Sequence, residues 1–159
     1  MLYYNIRHIN ITLNFINIKR IAMYKSKHFV IEELVPKSLY DKYGPIKCWE
    51  FLDPKLLKMI DIIKERFPDG TCSINTWKWN GNRKWSGIRT PDSPYYSIGS
   101  MHSWGKAVDM VFSQYTADEI REDILANPTV YEHIKGLELG ISWVHIDTRN
   151  RTDLLSFYP

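Results

Sequence analysis

Two short β-rich runs constrain this chain most, because each carries an ionisable residue in apolar company. Ala107-Val108-Asp109-Met110-Val111-Phe112 reads as a buried strand with one carboxylate in it. Val144-His145-Ile146 reads as a second strand, within 141–147, with one imidazole. Side chains alternate along a strand, so Asp109 and His145 can point at one spot from neighbouring strands. His102 stands just ahead of the first run and enters from the preceding loop. Gly105 lets the chain turn back tightly between them.

Two imidazoles and one carboxylate form a set suited to catalytic zinc. They offer borderline-soft nitrogen donors and one anionic oxygen, and leave a fourth position for water. Taken singly, each residue has a plainer reading. A lone His before a strand is usually a surface or core-satisfied residue, and a lone Asp is usually a turn or cap. The pattern formed by His102, Gly105, Ala107 and Asp109, with His145 as its partner, carries more weight than any member.

Ser100-x-His102-x-x-Gly105-x-Ala107-x-Asp109, followed by Trp143-x-His145, resembles the zinc D-alanyl-D-alanine carboxypeptidase family. That family includes vancomycin-resistance dipeptidases and phage L-alanyl-D-glutamate endolysins, and it shares its fold with the hedgehog signalling domain. Ser86-Gly87-Ile88-Arg89 also resembles the family's Ser-Gly-x-Arg motif, upstream of the first ligand. The likeness spans roughly Leu52 to Thr148. It implies an α+β fold in which a small antiparallel sheet carries the metal site, flanked by helices. It implies Zn2+ held by His102, Asp109 and His145, and an Arg89 that contacts the substrate or polarises its carbonyl. The implied substrate is the peptide stem of bacterial peptidoglycan, with a phage as one fitting source.

Many family members place a catalytic Glu three residues before the last His. Here that position is Ser142, which cannot act as a base at neutral pH. Some branches lack the Glu and end in His-x-Asp, as His145-Ile146-Asp147 does. Two candidates remain for the base. Glu138 lies seven residues before His145, across a glycine that can fold it back. Asp147 lies two residues after His145 on the same strand face, and its plainer role is to orient that imidazole. On this reading zinc lowers the pKa of its bound water to about 7. Arg89 stabilises the oxyanion or grips a substrate carboxylate by two prongs. The rival is a non-catalytic zinc-binding or virion-structural module of the same fold.

The chain has 159 residues, enough for one domain with a sizeable core. Its net charge of +3 fits an anionic wall polymer without demanding one. No dense Lys/Arg stripe is present, so nucleic acid is not an expected partner. Aromatic content reaches 14%, with Trp77, Trp79, Trp85 and Trp104 crowded ahead of the metal motif. They are read either as core or as a groove stacking sugar or peptide. Cys48 and Cys72 form no Cys-x-x-Cys pair and are expected as free thiols.

Residues 9–18 alternate apolar with polar in a strand-like pattern, and the Asn/Ile bias of 1–22 differs from the rest of the chain. Residues 1–22 lack the apolar core and cleavage site of a signal peptide, and are too interrupted to span a membrane. They are expected to be an extension, with a single domain over 23–159. With no export signal, the protein is expected in the host cytoplasm or a virion before it meets the wall.

Residues 23–46 are expected to form an arm with a helical turn near Ser38–Tyr43. A helix is expected from Pro54 to Phe67, with Asp53 as N-cap. Thr71–Trp79 alternates like a strand, and 90–99 is a loop lining one wall of a cleft. Thr116 and Glu119 make a capping box for a helix with Ile120, Ile124 and Leu125 on its apolar side. A further helical turn is expected over 128–135. The tail from Thr148 is expected to pack back on the domain.

Overall fold

The computed structural model describes residues 23–159, so the expected extension over 1–22 lies outside the described residues. The architecture is α+β. Helices α1 (Ile31–Leu34), α2 (Lys37–Cys48), α3 (Pro54–Arg66) and α4 (Ala117–Ala126) accompany one five-stranded sheet. Its strands are β1 (Cys72–Ser73), β2 (Ala107–Phe112), β3 (Gly136–Glu138), β4 (Val144–Asp147) and β5 (Leu155–Phe157), in spatial order β1-β2-β4-β3-β5.

The helix expectations follow their sequence signals closely. The Asp53 side chain accepts from the Lys55 N–H at 2.9 Å, and Pro54 occupies the first turn of α3. Leu56, Leu57, Ile60 and Ile63 are fully buried along one face. Thr116 and Glu119 close their capping box at the start of α4. Ile120 and Ile124 are buried there, but Leu125 is exposed. The 23–46 region is more helical than expected, with α1 added. Gly44, at φ +75°, interrupts α2 just before Pro45. Residues 128–135 form turns without a helix.

Asp61 fastens the N-terminal arm onto α3. This buried carboxylate accepts from the Tyr24 hydroxyl at 2.7 Å, from the Ser26 hydroxyl at 2.5 Å and from the Lys27 N–H.

The sheet is mixed rather than purely antiparallel. The tail does pack back, as β5, but it joins β3 in parallel register, with Glu138 opposite Phe157. The strand expected over 71–79 contracts to β1. Beyond Ser73 the Arg83 guanidinium wedges in, donating to the Ile74 and Asp109 carbonyls at 2.8 and 3.0 Å. The Asp109 N–H then donates to the Ser86 carbonyl at 2.7 Å. Past Ser73 the segment beside β2 is 86–89, not 74–79. β4 starts at Val144 rather than 141, because the Arg121 guanidinium gathers the Glu138, Ile141 and Trp143 carbonyls into a turn.

Alternation divides the sheet into two faces. Val108, Met110, Leu137, Val144 and Ile146 are buried in the core with α3 and α4 residues. Asp109, His145, Asp147 and Glu138 occupy the opposite face and border one cavity.

Gly87 brings the 86–89 segment against the backbone of α1. A Cβ there would lie 2.1 Å from the Leu34 carbonyl oxygen, and the Ile88 N–H donates to that same oxygen. Backbone cannot yield as a flexible side chain does. Gly87→Ala is therefore expected to lower stability by about 1–3 kcal/mol, measured by urea unfolding. Unchanged stability would refute the close approach.

Candidate metal centre

The site begins with strand register. β2 and β4 are antiparallel and set Asp109 directly opposite His145. β3 and β4 pair Leu137 with Ile146, so the next step sets Glu138 beside His145. Asp109, His145 and Glu138 therefore form one row across three adjacent strands, which continues to Phe157 on β5. The His145 and Phe157 rings meet edge to face with centroids 6.0 Å apart.

His102 reaches this row from a single 3-10 turn, Met101–Trp104. Gly105 ends that turn at φ +66°, where a Cβ would lie 1.9 Å from the Phe51 carbonyl oxygen. Both demands select glycine.

Three atoms converge. His102 Nε2 lies 3.3 Å from Asp109 Oδ1 and 3.3 Å from His145 Nδ1, and the last two are 2.8 Å apart. These three buried residues form a group that could hold a metal ion. In a tetrahedral zinc site, bonds of roughly 2.0–2.1 Å place ligand atoms about 3.3 Å apart. The observed separations need to open by at most about 0.5 Å to match.

The surroundings orient each donor. His102 Nδ1 faces the Gly87 carbonyl at 2.8 Å. A carbonyl only accepts, so Nδ1 carries the hydrogen and Nε2 offers its lone pair to the cluster. His145 presents Nε2 to Asp147 Oδ2 at 3.6 Å, which turns Nδ1 inward. Asp109 divides its two oxygens: Oδ1 faces the imidazoles, while Oδ2 accepts from Arg89 Nη2 at 2.8 Å.

The charges are consistent with a cation site. Burial works against an ionised Asp109, but the adjoining His102 and His145 imidazoles outweigh it and hold this carboxyl well below the usual carboxylate range. Burial pushes the His102 pKa down and favours the neutral imidazole that a metal needs. Burial also opposes protonation of His145, yet its bonds to Asp109 and Asp147 prevail and raise its pKa to about 9. The same two carboxylates that favour a proton on His145 would also favour a metal cation in its place.

The residues expected to act on substrate fall into three situations. Asp147 is fully buried; it is gripped by the Arg149 guanidinium and accepts from the Arg149 N–H at 3.0 Å. Burial disfavours its charge, but the bonds from Arg149 and His145 bring its pKa down to about 2. This geometry fits the orienting role. Arg89 donates through Nε to the Trp85 carbonyl and through Nη2 to Asp109. The two-pronged or oxyanion contact expected of Arg89 is thus left to its remaining N–H groups. Glu138 Oε2 lies 3.9 Å from His145 Nδ1, in the cavity wall, with no hydrogen bond to its carboxylate from the described residues. Ser142 lines a different cavity, beside Met110 and Tyr115.

His102, Asp109, His145, Glu138 and Arg89 all border one cavity of about 700 Å3. Tyr95 and Trp85 line it as well, and the Tyr95 ring sits 5.8 Å from the Arg89 guanidinium. The tryptophans ahead of the motif are not core: Trp79 and Trp104 are more than half exposed. Arg121 and Arg149 were missed by sequence reasoning. Arg149 had a signal in the Asp-x-Arg spacing of a strand end. Arg121 had none, since it looked like a solvent-facing residue of α4.

Compared with protein-family models, with curated proteins and with solved structures, the chain matches none. Among the described residues no helix is long and apolar enough to cross a membrane.

His102→Ala is expected to abolish tight metal binding, read by metal content after dialysis and by loss of the thermal shift that added zinc gives the parent protein. One tightly bound ion per chain in this variant would overturn the ligand assignment.

Proposed function

We propose that this protein is a zinc-dependent peptidase that cuts the peptide stems of bacterial peptidoglycan. The observation that carries the hydrolase reading is the Glu138 carboxylate, which takes no hydrogen bond from the described residues and shares a cavity wall with three converging metal-ligand atoms. Bound zinc would supply Lewis acidity and a water that ionises near neutral pH. Glu138 takes the proton from the attacking water and passes it to the leaving amine. The base thus comes from the strand beside β4, not from the position of Ser142. Asp147, locked by Arg149, holds His145 in its ligating orientation. Arg89 uses its remaining N–H groups on the developing oxyanion. The substrate class rests on the resemblance of the Ser100–Asp109 and Trp143–His145 motifs to the D-alanyl-D-alanine carboxypeptidase family.

Glu138→Gln is expected to retain zinc and lower kcat on peptidoglycan peptides by about 10²–10⁴-fold. Unchanged turnover would remove Glu138 from the chemistry. Arg89→Ala is expected to keep zinc and lower kcat by about 10²-fold, measured on the same peptides. Zinc bound at full occupancy with no new amino termini in digested peptidoglycan would instead favour a non-catalytic zinc module of this fold.

A further inference from the structure

Strand β5 stands at the edge of the sheet, beside β3, and its residues are partly exposed. The Leu155 N–H ties it to the Lys135 carbonyl at 3.0 Å, and the Phe157 carbonyl accepts from the Leu139 N–H at 2.8 Å. A short, exposed edge strand opens more readily than strands of the core. Yet this strand reaches into the metal centre.

The Phe157 side chain makes that reach. Its ring meets the His145 ring at an interplanar angle of 78°. The Arg149 guanidinium lies over the same Phe157 ring, 4.9 Å from its centroid. Through Nε that guanidinium donates to Asp147 Oδ1 and Oδ2 at 2.8 and 3.0 Å, and Asp147 Oδ2 stands 3.6 Å from His145 Nε2. Phe157 therefore acts on His145 twice, once by direct contact and once through Arg149 and Asp147.

The imidazole needs that support. The terminal torsion of a histidine side chain is soft, so a ligating nitrogen must be held by its neighbours. At 3.6 Å the Asp147 contact is long for a hydrogen bond. Edge-to-face ring packing and a cation over a ring face are both directional, and Phe157 supplies the two together.

We propose that Phe157 is a positioning residue of the metal centre, so that docking of β5 on β3 and binding of the metal are coupled. This rests on the metal-centre reading and is independent of the peptidase reading. The coupling is reciprocal: the factor by which docked β5 strengthens metal binding is the factor by which the metal strengthens docking.

The test uses the full chain, with zinc alone as the probe. Zinc affinity is read by competition with a chromogenic chelator. Docking is read by hydrogen exchange of the Leu139 and Leu155 amides, at denaturant concentrations where local opening governs exchange. Phe157→Ala is expected to weaken zinc binding about tenfold, and Phe157→Tyr, which keeps the ring, to retain the parent affinity. In the parent protein zinc is expected to slow exchange of both amides about tenfold; in Phe157→Ala it is expected to leave their exchange unchanged. Unaltered zinc affinity in Phe157→Ala, even with lowered urea stability, would overturn the proposal, because a ring that only packs costs stability alone. Equal exchange of the parent amides with and without zinc would overturn it as well, with no variant needed. A parent chain that binds no zinc would sink the metal-centre reading with it.

Discussion

The pairing of β2 with β4 is the interaction on which the site depends. It is short, from Ala107–Asp147 to Met110–Val144, and its register decides the chemistry. A slip by one residue would turn Asp109 or His145 to the opposite face. Val108, Met110, Val144 and Ile146 would then lose their place in the core. The hydrophobic cost of exposing those side chains therefore guards the ligand geometry. The apolar residues keep the ionisable ones facing one another.

Around that pairing the chain has built a set of polar restraints, most of them to backbone. Gly87 offers its carbonyl to His102, Asn75 holds the Ser86 N–H at 2.8 Å, and Asp109 accepts from Arg89. Every buried side-chain nitrogen and oxygen among the described residues has a hydrogen-bond partner. Buried charges cost several kcal/mol unless paired, so this completeness is what permits Asp109 and Asp147 to be ionised inside the fold. It also explains why the arginines near the cavity are structural first: each neutralises a carboxylate or collects carbonyls. Glu138 is the exception among the carboxylates of the cavity wall, since no described residue donates to it. An anion so placed, beside the open side of a ligand triad, is suited to moving a proton.

How much of this was readable along the chain depends on how far each interaction reaches. Asp53 and Pro54 announced α3, and Thr116 and Glu119 announced α4. Those signals act within one turn of backbone. The strand carrying Asp109 was equally plain, because its apolar run is continuous. The strand expected over 71–79 stops at Ser73 because the 86–89 segment, more than ten residues beyond Ser73, lies next beside β2, with the Arg83 guanidinium wedged in. The parallel docking of the tail on β3 likewise depends on contacts between distant segments.

The amino-acid order by itself determined α3 and α4, the two ionisable strands and the identity of three prospective ligands, since residue type and local spacing suffice for those. Only the folded chain decided that Glu138 would stand beside His145, that Asp147 would be claimed by Arg149, and that Ser142 would face another cavity. Those outcomes turn on which strands become neighbours and in what register. That choice is made by burying apolar side chains from remote segments together, a property no local stretch contains.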